Sequence, residues 1–144
     1  MKWQQVQESP GAVYVVVFRA GEEALAGITE FVRDRDLGAS QVTAVGAFSQ
    51  ATVGWFDCEA KDYRRIPVDE QCEVLSLLGD IARGDQGPTP HLHAVLGLSD
   101  GTTRGGHLLE GKVWPTLEVI VRDSPAELQK TYRPDLGLAL IDPA

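Results

Sequence analysis

Hydrophobic positions along this chain fall mostly into short runs of strand character, interrupted once by a run with helical spacing. Residues 11–20 (GAVYVVVFRA) are β-branched and aromatic and predict a buried strand. In residues 21–38, Ala24, Leu25, Ile28, Phe31 and Val32 recur at helical spacing. Glu22 and Glu23 sit in the expected first turn, where the helix dipole favours acids, and Gly38 is the expected stop. From Gln41 onward the pattern turns β-like. QVTAVGAF and ATVGWFDC predict two strands joined by a Ser49-Gln50 turn. Residues 57–69 are more polar and predict a loop with a short strand near residues 63–68, and residues 73–82 predict a strand bent at Gly79. Residues 84–90 (GDQGPTP) read as a loop. HLHAVLGL and TTRGGHLL then flank Ser99-Asp100-Gly101 as a hairpin. Residues 116–121 predict another strand, residues 125–130 a short helix, and the alternating LGLALI a final edge strand or a packed extension.

The strands carry apolar residues on both faces. Both parities are hydrophobic in residues 13–18, 95–98 and 117–121. One helix covers only part of one sheet face, so the second face calls for another cover, and neighbouring subunits are the expected source.

Composition narrows the function classes. The length, 144 residues, fits one domain over 1–144 with a real core. No apolar run approaches the ~20 residues of a membrane span, and Met1-Lys2-Trp3-Gln4-Gln5 has no apolar signal-peptide core, so the expected location is the cytoplasm. A net charge of −8 repels nucleic acid and anionic membranes, and Arg64-Arg65 is the one adjacent basic pair. Neither is an expected partner. Cys58 and Cys72 are too far apart for a CxxC motif and read as two buried or half-buried thiols. P-loop and GxGxxG motifs are absent from the sequence.

The candidate chemistry lies in the histidines. His91, His93 and His107 are the chain's whole complement and fall within one short stretch. His91 and His93, two apart in a strand, point to the same face. A three-residue Ser99-Asp100-Gly101 loop, with glycine at its left-handed position, pairs His93 with His107. A two-residue Asp100-Gly101 turn needs a bulge at Gly105-Gly106 to restore the same facing. Opposed Cβ atoms then lie ~4.5–5.5 Å apart and the diagonal pair ~7–8 Å, from which imidazoles reach one ion at ~2.0–2.1 Å. Three neutral imidazoles suit zinc best, with other divalent transition metals as alternatives, and leave a fourth position for water, a small-molecule ligand or a partner chain. A zinc enzyme, lyase or hydrolase, further needs a proton shuttle and a group to hold an oxyanion. Glu110 and Glu118 flank the hairpin, Glu73 and Asp80 lie on a nearby predicted strand, and Arg104 precedes His107. Strand parity puts Arg104 off the metal face unless the glycines bulge. Glu118 sits inside an apolar run, TLEVIV, where a charge must have a partner. Glu118, Glu73 and Arg104 are therefore the catalytic candidates.

The segment PHLHAVLGLSDGTTRGGHLLEGKVWPTLEVIV resembles the most distinctive part of the plants and prokaryotes conserved domain, and AVGAFSQATVGWFD and EVLSLLGDI match further segments of that family. The resemblance runs from about residue 13 to residue 121. It implies an α/β (α+β) domain with a largely antiparallel sheet and one main helix, assembled as a homotrimer. It also implies a metal unit of three histidines, falling here on His91, His93 and His107. In plants the domain follows AT-hook motifs. This chain has no Arg-Gly-Arg-Pro core and is acidic, so DNA association is not carried over. Gln71-Cys72 also stands before Glu73 in place of the plant-type Gly-Arg-Phe lead-in. The fold is similar to that of the acetolactate decarboxylase group, which uses three histidines on zinc for a lyase reaction. Two expectations follow from different classes: a trimeric zinc protein serving a small metabolite, or a non-catalytic regulatory or interaction module.

Overall fold

In the computed structural model, which describes residues 1–7 and 11–142, nine strands and one helix form an α+β arrangement. In chain order they are β1 (Lys2–Gln7), β2 (Val13–Arg19), α1 (Ala24–Asp34), β3 (Ala39–Asp57), β4 (Asp62–Val68) and β5 (Cys72–Gly84), followed by β6 (Gly87–Gly97), β7 (Thr103–Asp123), β8 (Lys130–Arg133) and β9 (Leu138–Ile141). The main sheet has the order β1-β2-β7-β6-β5-β3-β4, with β7 also paired to β3. Strands β3, β5, β6 and β7 therefore pair in a closed circuit, and every pairing between named strands is antiparallel. Strands β8 and β9 form a separate two-stranded sheet. Among the described residues no helix is long and apolar enough to cross a membrane.

Helix α1 packs on the inner face through Ala24, Ile28, Phe31 and Val32, all buried. Its start is set by Glu23, which is the N-cap rather than a first-turn residue. Its carboxylate accepts from Ala26 N at 2.5 Å and from Gly111 N at 2.8 Å, tying the helix to β7. The helix stops three residues before the expected Gly38. Arg35 is the C-cap, and Asp36 takes the left-handed conformation at φ 55°. Gly38 serves closeness instead: a Cβ there would lie 2.9 Å from Arg83 Nε, the side chain whose Nη1 donates to Asp36 at 2.6 Å.

Four predicted features come out differently. Ser49-Gln50 is not a turn, because Gln50 and Ala51 pair with Lys112 and Gly111 and carry β3 straight through, bent by bulges. Residues 84–90 are not a loop: Gly84 pairs with Gly87 across a two-residue turn, and β6 begins there. Strand β5 shifts register between Val74 and Ser76 rather than at Gly79. Residues 125–130 are not helical. The Ser124 hydroxyl accepts from Ala126 N, and Leu128 O accepts from Arg83 N, so local and tertiary bonds displace the helix ladder. Strand β1 carries no alternating pattern. Trp3 supplies its anchor, packing edge-on to Tyr14 and tilted on Phe31, with the Arg35 guanidinium 3.7 Å from its ring centre. Of the two thiols, Cys72 is buried and Cys58 exposed.

Candidate metal centre

The hairpin between β6 and β7 has the three-residue loop. Leu98 N donates to Thr102 O, Gly101 sits at φ 83°, and His93 pairs directly with His107. The register runs unbroken from that pair to Gly97 and Thr103, so no bulge is needed. His91 and His93 project from β6 onto the outer face, and His107 joins them from β7. Their ring centres are 5.1 Å (His91–His93), 5.3 Å (His91–His107) and 5.5 Å (His93–His107) apart. One ring nitrogen from each lies within 4.8 Å of the others, and the Nε2 atoms of His91 and His93 face each other at 3.2 Å.

Neighbouring strands hold the rings in place. Tyr63 of β4 stacks on His107 with centres 4.7 Å apart and planes 23° from parallel. Gly54 of β3, paired with both His107 and Arg65, makes that stacking possible, since a Cβ there would lie 2.8 Å from the Tyr63 ring. On the other side Gly79 of β5 lets the backbone of His91 approach, because a Cβ would meet the His91 carbonyl oxygen at 2.0 Å. Asp80, also on β5 and paired with His91, brings Oδ2 to 3.4 Å from His91 Nδ1. Lys130 Nζ lies 3.2 Å from Asp80 Oδ1, an ion pair without the alignment of a full hydrogen bond.

The electrostatics favour neutral imidazoles. Burial, then the neighbouring His91, His93 and Lys130, push His107 down to about 4, and burial and His91 also lower His93. At neutral pH both rings carry a lone pair rather than a second proton. Burial raises the Asp80 carboxyl, but its bond to His91 and the Lys130 ammonium outweigh that and hold it low, so it is ionised. Burial raises the Tyr63 phenol, which stays neutral.

This set fits a zinc-type ion. The three donors are borderline-soft nitrogens of the right kind. His107 Nδ1 is buried and has no hydrogen-bond partner among the described residues. Two nitrogens on one ion stand at most ~4.2 Å apart, so small ring rotations bring all three into range.

The catalytic candidates lie elsewhere. Glu73 is exposed opposite Gly97, at the far end of β6 from His91. Arg104 pairs with Leu96 and is exposed, its guanidinium donating to Thr103 O. Glu118 points to the outer face rather than into the apolar interior, between Val17 and Val45 on the flanking strands, so it is solvated without a buried partner. Glu110 is exposed and paired with Arg65 Nη2 at 2.5 Å. Of the carboxylates weighed, Asp80 alone touches a histidine. Tyr63 and Lys130 were not foreseen. Their signal is tertiary, as each reaches the cluster from a strand that is not adjacent to it in sequence.

Known proteins share this fold. The chain is 32% identical over 125 residues to the bifunctional protein GlmU of Synechococcus sp., aligning 85% of this chain and spanning only 19% of that relative's length. Among solved structures, a candidate DNA-binding protein of Bacteroides thetaiotaomicron superposes with a TM-score of 0.89 at 26% identity, over 97% of this chain and 96% of that one. A plant- and prokaryote-conserved protein of Pyrococcus horikoshii gives 0.85 at 26% identity, over 99% and 96%. A metal-containing protein of Archaeoglobus fulgidus gives 0.84 at 28% identity, over 99% and 97%. A Staphylococcus aureus protein similar to α-acetolactate decarboxylase shares the fold alone, with a TM-score of 0.59 at 10% identity, over 88% of this chain and 55% of that one. The model of the Plants and Prokaryotes Conserved (PCC) domain matches residues 5–125, the span that holds the helix, the closed circuit of strands and all three histidines. This chain is therefore a member of that family.

Proposed function

We propose that this protein is a homotrimeric metal-binding protein in which His91, His93 and His107 hold one divalent transition metal, zinc first. The observation that carries the reading is the convergence of three ring nitrogens within 4.8 Å on one face. His107 and His93 are held neutral there, as metal ligands must be. Three protein ligands leave a position for a small polar metabolite. A bound zinc would supply Lewis acidity toward a carbonyl or a water molecule at that position. Around it, Tyr63 walls one side of His107 and Asp80 orients His91.

The trimer is supported by the outer face. Val45, Leu75, Leu78, Val95 and Ile120 are all large, apolar and exposed there, with Leu78 at 54% and Val45 at 56%. Such a cluster needs a cover, and two further copies of the chain supply one. The two unpaired cysteines and the acidic composition fit a cytoplasmic location.

A specific observation favours the non-catalytic reading as the second choice. The carboxylate at the cluster, Asp80, is engaged by both His91 and Lys130, and Glu73, Glu118 and Arg104 are not near. A regulatory or interaction module, of the kind to which the candidate DNA-binding neighbours point, would need no free base. Net charge −8 makes direct duplex binding unfavourable in either case.

Metal analysis of natively purified protein tests the first reading. One zinc per chain is expected, and it should fall to background in His93→Ala and His107→Ala while the fold remains intact. Unchanged metal content in both variants would refute the site. Light scattering should give three times the 15.6 kDa chain mass; a single-chain mass at micromolar concentration would refute the trimer. If zinc is bound, a change in the visible spectrum of the cobalt-substituted protein on adding small hydroxy or keto acids separates the metabolite reading from the interaction module.

A further inference from the structure

One set of contacts leads from the histidines to a part of the chain beyond the family match, which ends at residue 125. Lys130 opens β8 and has only 6% of its side chain exposed. Its Nζ donates to Thr89 O at 3.1 Å and pairs with Asp80 Oδ1 at 3.2 Å. Asp80 uses its other oxygen, Oδ2, on His91 Nδ1 at 3.4 Å. The segment is anchored by backbone: Arg83 N donates to Leu128 O, Asp142 N donates to Gln129 O, and β9 pairs with β8 along its length.

A carboxylate accepts only, so the proton of a neutral His91 belongs on Nδ1. That leaves the lone pair on Nε2, the atom that faces His93 Nε2 at 3.2 Å. A carboxylate held at one oxygen by a buried ammonium cannot swing away with the other. The lysine thus fixes the aspartate, and the aspartate fixes both the tautomer and the tilt of the imidazole.

We propose that Lys130 and Asp80 are positioning residues of the histidine centre, and that the C-terminal β8–β9 hairpin thereby sets its metal affinity. This rests on the reading of His91, His93 and His107 as a metal site. A lysine buried against one carbonyl and one carboxylate, at the single ligand that has a carboxylate partner, is the arrangement that role requires. A purely structural ion pair would stabilise the fold without altering the ligand.

The test uses the full chain, zinc alone in competition with a chromophoric chelator, and nitrogen-detected NMR of the histidine rings in the metal-free protein. Lys130→Met and Asp80→Asn are expected to keep one zinc per chain and to weaken its binding by roughly 10–100-fold. The double variant should be no weaker than Asp80→Asn alone, because the lysine acts through the aspartate. The NMR should show the Nδ1–H tautomer of His91 in the parent and a mixture in Asp80→Asn. If the parent binds no zinc, the metal reading falls and this inference with it. If the parent binds zinc and folded Lys130→Met binds it equally well, the inference alone is overturned. Should Lys130→Met fail to fold, Asp80→Asn, which is isosteric and half-exposed, decides: unchanged affinity and an unchanged His91 tautomer overturn the proposal.

Discussion

The two faces of the main sheet both carry apolar side chains but use them differently. On the inner side, Phe18, Phe48, Leu77, Leu92, Leu108 and Leu117 are fully buried in one apolar core. On the outer face Val45, Leu75, Leu78, Val95 and Ile120 are exposed, and beside them stand three histidines, an aspartate and a tyrosine in contact. The inner face is explained by burial within one chain. The outer face is not: its apolar side chains stay exposed beside the polar cluster. The polar groups in contact are concentrated on the side that solvent can reach.

The difference can be broken or sharpened by substitution. The largest effect on stability is expected inside. Phe48→Ala removes a fully buried ring from the middle of β3 and should cost about 3–5 kcal/mol in denaturant unfolding, whatever the protein concentration. The outer face should answer in mass rather than in fold. Leu78→Asp is expected to shift the scattering mass from three chains to one, with its circular dichroism spectrum retained. An unchanged mass would mean that the exposed apolar cluster is not the assembly surface.

A smaller effect concerns acid. His107 takes up a proton near 6.5 in the unfolded chain but at about 4 in the folded one, because burial opposes its charge. Between those values the unfolded state binds more protons, so the metal-free protein should lose stability as the pH falls through that window. Above about pH 7 this contribution is flat, since both states are then neutral. The melting temperature of the metal-free protein should trace that slope, and His107→Gln should flatten it. The smallest effects are expected at the two remote candidates. Glu73→Gln and Arg104→Ala should each change stability by less than about 0.5 kcal/mol and leave zinc affinity where it was. Loss of metal in either would mean the centre extends further along the hairpin than its contacts indicate.

Much of this architecture is written locally. The helix in residues 24–34 follows from its apolar spacing, and the facing of His93 and His107 from a three-residue loop whose third position is glycine. Period and turn chemistry are near-neighbour properties, so a sequence states them directly. Double-sided hydrophobicity in residues 117–121 likewise marked a face in need of a cover. What it could not state was the phase of each strand after a bulge. Strand β7 shifts register against β3 at three places between Gly46 and Val53, and its Glu118 stands out to solvent between the buried Leu117 and Val119, where the apolar run suggested burial. Nor could it state which distant chains meet. Tyr63 stacks on His107 because β3 pairs with β4 on one edge and β7 on the other. Lys130 reaches Asp80 because the backbone of Leu128 bonds to Arg83 in place of a helical turn. The sequence by itself determined the three histidines and the turn that gathers them. Their surroundings were decided only by the tertiary structure, because a long-range contact depends on accumulated register and twist, which no local pattern records.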